Sequence, residues 1–377
     1  MTKQNNPLVL SRPGAQQRAV SKDTGSSRRW PFDTHSRIAR MLLRANGLWI
    51  GAALALTGAA SAEPMQLKFA FIGPPTNQMH QQGMAKFADA VMKESGGEVE
   101  VKVFNGPVLG TLQNIYDRLL NDVVEIAFVT IGPVVTQFPK STVSMLPFET
   151  HDAREGSLAL WGALQRGVIA DEFARVKPLA MIGFANVSFH SRKPIAKLED
   201  VKGMKISTQS RLMGQVVEAF GGTPVSMPVN DMYQALSRGT VDAAATAWPA
   251  VQAFKIIEVV TTHIEEPLGG EGAFVAMNKD VYAKLPAKAR EAVDKYAGPI
   301  FSEWVGVAID VSEDEGRQMG KAMADHKLVK LPAAEEARWK KQVQPVTDEW
   351  VKATPNGAAV LAAYREEIAK IRATMKK

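Results

Sequence analysis

The chain has 377 residues, 46% of them hydrophobic and 22% charged, and no cysteine; this is too long for one ordinary core and implies two domains plus a removable segment. Its formal charge of +6 raises nucleic acid or an anionic membrane as partner, but the charge is unevenly placed. Residues 1–62 hold nine Lys/Arg against Asp23 and Asp33, leaving 36 basic and 37 acidic residues beyond, so the nucleic-acid reading loses its support.

The basic leader runs into an apolar stretch from Leu48 and ends on Ala60-Ser61-Ala62 before Glu63-Pro64. A positive region, a short apolar region and a small-residue site are the three parts of a secretory signal, which predicts cleavage after Ala62 and a periplasmic mature chain. The apolar run is short of the ~20 residues that cross a bilayer. Met41 opens a compact signal by itself, so residues 1–40 are expected to be a mis-assigned start or an extension, and Ser27-Arg28-Arg29 lies too far from the apolar run to be weighed as a twin-arginine signal. Without disulfides, the exported protein must be held by its core alone.

Past Pro64, Gln66 to Ile72 reads as a buried strand, followed by a Gly-Pro-Pro-Thr-Asn loop and a helix from about Gln78 to Glu94 with Met84, Phe87, Ala88, Val91 and Met92 on one face. Glu98 to Val103 alternates polar and apolar residues, the pattern of a strand with one wet face. This order predicts a mostly parallel sheet with crossover helices. A helix bearing Leu112, Ile115, Leu119 and Leu120 then leads into a buried strand at Val123–Val129. The same unit returns: residues 115–130 (IYDRLLNDVVEIAFVT) align without a gap on 232–247 (MYQALSRGTVDAAATA), matching Tyr116 to Tyr233, Leu119 to Leu236, Val124 to Val241 and Glu125 to Asp242, as two similar lobes require. Lys177–Asn186 reads as a strand passing between lobes, Met204–Thr208 as a strand, Arg211–Phe220 as a helix ended by Gly221-Gly222, and residues 281 onward as helical. One lobe is thus expected from residues 63–185 with 272–310, the other from 186–271 with 311–377.

No enzyme signature is present: no phosphate-binding G-x-x-x-x-G-K-[ST], no G-x-G-x-x-G after a strand, no H-E-x-x-H and no G-x-S-x-G. His80, His151, His190, His263 and His326 are far apart in sequence and read as isolated, so neither metal nor cofactor is expected. Ligands in open α/β sheets sit beyond the carboxyl ends of the strands, which points to Thr76, Asn77, Thr130, Asn186, Ser207, Thr208, Thr246 and Trp248. Hydroxyls, amides and one indole suit a small solute with an apolar body and a few polar atoms.

From about Leu67 to Leu361 the chain resembles solute-binding proteins of the tripartite ATP-independent periplasmic (TRAP) transporter family, dicarboxylate-binding (DctP) type. The resemblance rests on FAFIGPPTNQMHQQGMAKFADAV, FNGPVLGTLQNIYDRLLNDVVEIAFV and, above all, KPIAKLEDVKGMKIS followed by GGTPVSMPVNDMYQALSRGTVDAAATAWPAVQAFK. It implies an α/β fold, a two-lobed periplasmic-binding-protein-like clamp of mixed, mostly parallel sheets with flanking helices and a long C-terminal helical region. The expected protein is a non-enzymatic monomer that closes on a small organic solute and delivers it to small and large membrane subunits.

The chain departs from that family at its charged anchors. The arginine that the family presents after K-G-[LM]-K-[IL] is Ser207 here, a second family arginine falls near Val187, the asparagine of V-D-G-x-x-N becomes Thr246, and a polar pocket position of the third strand becomes Thr130. Truncating one partner of a buried charge pair costs about 2–5 kcal/mol, so small dicarboxylates are expected to bind poorly. Two outcomes stay open: Arg211 supplies the lost guanidinium at a helix start, or the solute is neutral or mostly apolar and held by Trp248, Phe128 and Met-rich walls with hydroxyls orienting it. The best match is an aromatic or apolar organic acid; the alternatives are a neutral solute, or the same clamp serving as ligand sensor for a membrane receptor.

Overall fold

A computed structural model describes residues 63–375; the leader, the cleavage site at Ala62 and the Met41 start lie outside the described residues. The first lobe is built from β1 (Met65–Phe71), α1 (Ala85–Glu94), β2 (Val99–Asn105), α2 (Ile115–Leu120), β3 (Ile126–Thr130) and α3 (Ala153–Gln165), with the first part of β4 (Val176–Ser191). The second holds β5 (Lys205–Thr208), α4 (Arg211–Ala219), β6 (Thr223–Ser226), α5 (Val229–Ser237), β7 (Ala243–Thr246), α6 (Trp248–Ala253) and β8 (Thr262–Ile264). The chain then returns through β9 (Gly269–Asn278), α7 (Lys279–Lys284), α8 (Ala287–Tyr296), α9 (Pro299–Ala322), β10 (Lys327–Val329), α10 (Ala333–Ala353) and α11 (Gly357–Met375).

Strand order among the described residues is β2-β1-β3-β9-β4-β7-β5-β6, with β8 joining β4 to β10. Parallel pairs (β1 with β2 and β3, β5 with β6 and β7) flank an antiparallel centre of β9 and β4. Both sheet faces are covered, as parallel sheets require. In the first lobe Leu67, Phe69 and Phe71 pack with α1, α8 and α9 on one side, while Ala70, Ala127 and Val129 pack with α2, α3 and α11 on the other.

The repeat seen in the sequence has a structural counterpart. Glu125 Oε2 accepts the β1 N–H of Lys68 at 2.6 Å, and Asp242 Oδ2 accepts the β5 N–H of Lys205 at 2.9 Å. Leu119 and Val124 are matched by Leu236 and Val241, all 0% exposed. Each unit thus places a strand, β3 or β7, parallel to its predecessor and antiparallel to the central pair.

Two expectations need correction. Residues 281 onward are not wholly helical, because Lys327–Val329 forms β10, a strand parallel to β8. Nor does all of 311–377 belong with the second lobe: Val360, Leu361, Tyr364 and Ile368 of α11 lie in a first-lobe core, on α3. Helices α9 and α10 span both lobes: α9 contributes Phe301 and Val305 to the first and packs on α6, and α10 contributes Trp339 and Val343 to the second and Trp350 to the first.

Candidate ligand-binding cleft

The strand ends of both lobes converge where β4 changes partner. Its residues up to Val187 pair with β9, ending on Val187 opposite Gly269, and the next residue, Ser188, already faces Thr246 of β7. Between Phe184 and Val187 the ladder shifts: one more residue is used on β4 than on β9, a bulge that contains Asn186 and re-aims its side chain. Only glycine fits opposite it, since a Cβ on Gly270 would lie 2.4 Å from the Phe184 carbonyl oxygen and 2.7 Å from that of Ser144. The start of α4 reaches this crossing: a Cβ on Gly269 would meet Met213 Cε at 2.6 Å, and Leu212 packs against cores of both lobes.

The predicted contacts distribute around this point in different ways. Thr130 ends β3 with a buried Oγ1 that has no partner among the described residues, and Asn186 is half-buried in the bulge. Ser207 is 0% exposed, its hydroxyl 3.4 Å from the Ala243 carbonyl, and Thr246, equally buried, accepts Gln209 Nε2 at 3.5 Å. Thr208 and Arg211 line an open groove of about 460 Å³ with Gln209, Ser210, Gly214 and Pro224. Arg211 is exposed at the first position of α4, whose N-cap Ser210 accepts Met213 N–H, and it has no ion pair or side-chain hydrogen bond among the described residues. Across the first lobe, Asn77 caps the turn through Met79 N–H at 2.8 Å while Thr76 is exposed in the same loop.

The two aromatic candidates lie in cores. Phe128 meets Phe71 edge to face at 5.4 Å. Trp248 is 3% exposed and packs between His190, His263 and α9, where Cβ atoms on Gly316 and Gly320 would fall 2.8 and 2.7 Å from the indole side chain. The protein's own residues surround this indole.

Two features had no sequence signature. Glu271 of β9 stands directly opposite Phe184 and continues the face of Ala273 and Val275. It is half-buried without a salt bridge or side-chain hydrogen bond among the described residues, and burial alone pushes its carboxyl up to about 7. Charged groups on neighbouring elements are engaged elsewhere: His80 with Asn105, and Asp310, pushed up to about 6 by burial, with the α3 N–H groups of Ala153 and Arg154. In the second lobe three histidines expected to be isolated form a hydrogen-bonded row, His190 Nδ1 to His263 Nδ1 at 2.7 Å and His263 Nε2 to His326 Nδ1 at 2.9 Å. Burial holds His263 down at about 4, and both of its ring nitrogens are used within the row.

Among the described residues no group of three or more His, Cys, Asp or Glu is placed to hold a metal, and no helix is long and apolar enough to cross a membrane. The architecture is a two-lobed clamp with threonine and serine hydroxyls at strand ends beside the crossing of β4, and with Arg211 opening helix α4. A TRAP solute-binding protein from Rhodoferax ferrireducens, crystallised with copurified benzoate, superimposes with a TM-score of 0.75 at 29% identity, over 82% of this chain and 99% of that one. A marine-metagenome TRAP solute-binding protein specific for aromatic acid ligands, in complex with 3-hydroxybenzoate, gives 0.75 at 25% identity over 82% and 99%. The C4-dicarboxylate-binding periplasmic protein DctP of Rhodobacter capsulatus is 26% identical over 86% of this chain and 98% of its own length. Residues 69–353 match the bacterial extracellular solute-binding proteins of family 7 (DctP), and the chain belongs to that family, whose members capture solutes for TRAP transporters and do not transform them.

Proposed function

We propose that the chain binds a monocarboxylic acid with an aromatic or otherwise apolar body at the β4/β9 crossing and passes it to small and large TRAP membrane subunits. It acts as a periplasmic monomer after removal of its leader behind Ala62. The ligand class rests on Ser207. Where the resemblance places an arginine, the end of β5 carries a hydroxyl, 0% exposed and turned toward the Ala243 carbonyl, so this strand end has no fixed charge for a second carboxylate. Thr130 and Thr246 at the neighbouring strand ends are equally uncharged.

The cation we assign to the solute carboxylate is Arg211. It opens α4, so a carboxylate placed there meets a guanidinium together with the positive end of a helix. A solute touching α4 on one side and β3 or β9 on the other binds the closed arrangement better than the open one and shifts the equilibrium toward it. The relatives crystallised with benzoate and 3-hydroxybenzoate support the aromatic class.

Calorimetric titration of the mature protein with benzoate, 3-hydroxybenzoate and succinate tests this reading. Aromatic acids are expected to bind at least about tenfold tighter than succinate, as loss of one buried charge pair predicts. Tight succinate binding with no response to aromatic acids overturns it.

A further inference from the structure

Glu271 is the unexplained acid of the cleft. Antiparallel partners share a sheet face, so the pairings Phe128–Val275, Thr130–Ala273, Ile182–Ala273 and Phe184–Glu271 set Thr130, Phe184 and Glu271 on the same side of the first lobe's sheet. Thr130 and Glu271 are diagonal neighbours there, about 7 Å apart at Cβ. Along that face the strand interior is apolar, with Ala273, Val275 and Met277 at 0% exposure, until it reaches Glu271 beside the crossing.

Three other acids raised by burial have at least one hydrogen-bond partner among the described residues. Glu172 accepts from Ser141, Glu266 from the Leu331 N–H, and Asp310 from the first N–H groups of α3. Glu271 has none among the described residues, and the Thr130 hydroxyl next to it has none either. Buried polar groups in folded proteins are ordinarily hydrogen-bonded, and an acceptor and a hydroxyl left without partners on one sheet face form a polar subsite. An ionised carboxyl accepts only, while a threonine hydroxyl donates or accepts. A single group satisfies both: a hydroxyl that donates to the carboxylate and accepts from the threonine.

We propose that Glu271 and Thr130 form the subsite that reads a ring hydroxyl on the far end of the bound acid. The inference rests on the function proposed above, with the solute carboxylate at α4 and Arg211 in the second lobe. Glu271 then answers from the first lobe, so a hydroxylated aromatic acid bridges the two, and the hydroxyl contact adds to closure. Desolvation that pushes the carboxyl up to about 7 strengthens its preference for a donor once it is ionised.

The test measures affinities of the mature protein for benzoate and for 2-, 3- and 4-hydroxybenzoate at pH 8, comparing the parent with Glu271→Gln, Glu271→Ala and Thr130→Val. The parent is expected to prefer one hydroxybenzoate isomer over benzoate by about tenfold or more, since a site built to bond a hydroxyl rejects an analogue lacking it. Glu271→Ala is expected to bring that ratio close to one, and Glu271→Gln, which retains an acceptor oxygen, to restore part of it. Because the ratio is taken within each variant, a change in folding or closure common to both ligands cancels. An unchanged ratio in Glu271→Ala, or a parent with no isomer preference, overturns the subsite and leaves the proposed function standing. A parent that binds none of these acids overturns both.

Discussion

Replacing Trp248 by alanine separates a core role from a ligand-binding one. The indole is 3% exposed, lies tilted against His263 with ring centroids 4.5 Å apart, and faces α9 at two glycines that leave no room for even a Cβ. A buried aromatic covers about 150–250 Å², worth roughly 4–6 kcal/mol at ~25 cal/mol/Å², and Trp→Ala changes in cores cost about 3–5 kcal/mol. In a chain of this size each kcal/mol lowers the melting temperature by about 2 °C, so a drop of about 6–10 °C is expected. Affinity for benzoate should change by less than about threefold, because the indole belongs to the second lobe's own packing against α9. Thermal denaturation by circular dichroism and calorimetric titration of the same sample provide both readouts. A variant that melts within about 2 °C of the parent yet loses more than about tenfold in affinity refutes the reasoning and places the indole in the ligand site.

Glu313 on α9, 2% exposed, is pushed up to about 8 by burial, from an ordinary value of 4.5. Its native form therefore keeps a proton that the unfolded chain releases, so the stabilisation is full below about pH 4.5 and is lost as pH rises toward 8. Glu313→Gln should flatten the melting-temperature profile between pH 5 and pH 8, with a gain of a few kcal/mol at the upper end; an unchanged slope refutes this. Arg211→Ala is expected to weaken aromatic-acid binding by about five- to tenfold and to flatten its salt dependence, and Arg211→Lys to recover only part of the loss. Equal affinities of parent and Arg211→Ala at low and high salt would remove Arg211 from the site.

The first strand, first helix and second strand were legible because their patterns are local: apolar runs, helical spacing, strict alternation at Glu98–Val103. The repeat was legible for the same reason, and its paired acids Glu125 and Asp242 acquire a common role only when the neighbouring strand's N–H is in place. β9 was not read as a strand, because its Gly-Gly-Glu-Gly start suggests a turn and its remainder, buried on both faces, shows no alternation. β10 is three residues long and owes its extended form to pairing with β8. The histidine row depends on that same non-local pairing, since His190 and His263 face each other across β4 and β8 and His326 precedes β10. Trp248 was read as a cleft wall from its place after a strand; the signal against it was the Gly316/Gly320 spacing on a helix 68 residues later, a slot one turn long that accepts a large side chain. Glu271 follows from sheet register alone, which no single-sequence pattern supplies.

Three continuous elements, β4, α9 and α10, run through both halves of the molecule. Neither half is therefore a contiguous stretch of gene, and no cut at one loop yields a fragment owning a complete core. The halves must acquire their structure jointly during synthesis, and recombination cannot exchange one for a foreign counterpart as a cassette. Divergence toward new solutes is thereby channelled into point changes at strand ends, of the kind proposed for Ser207.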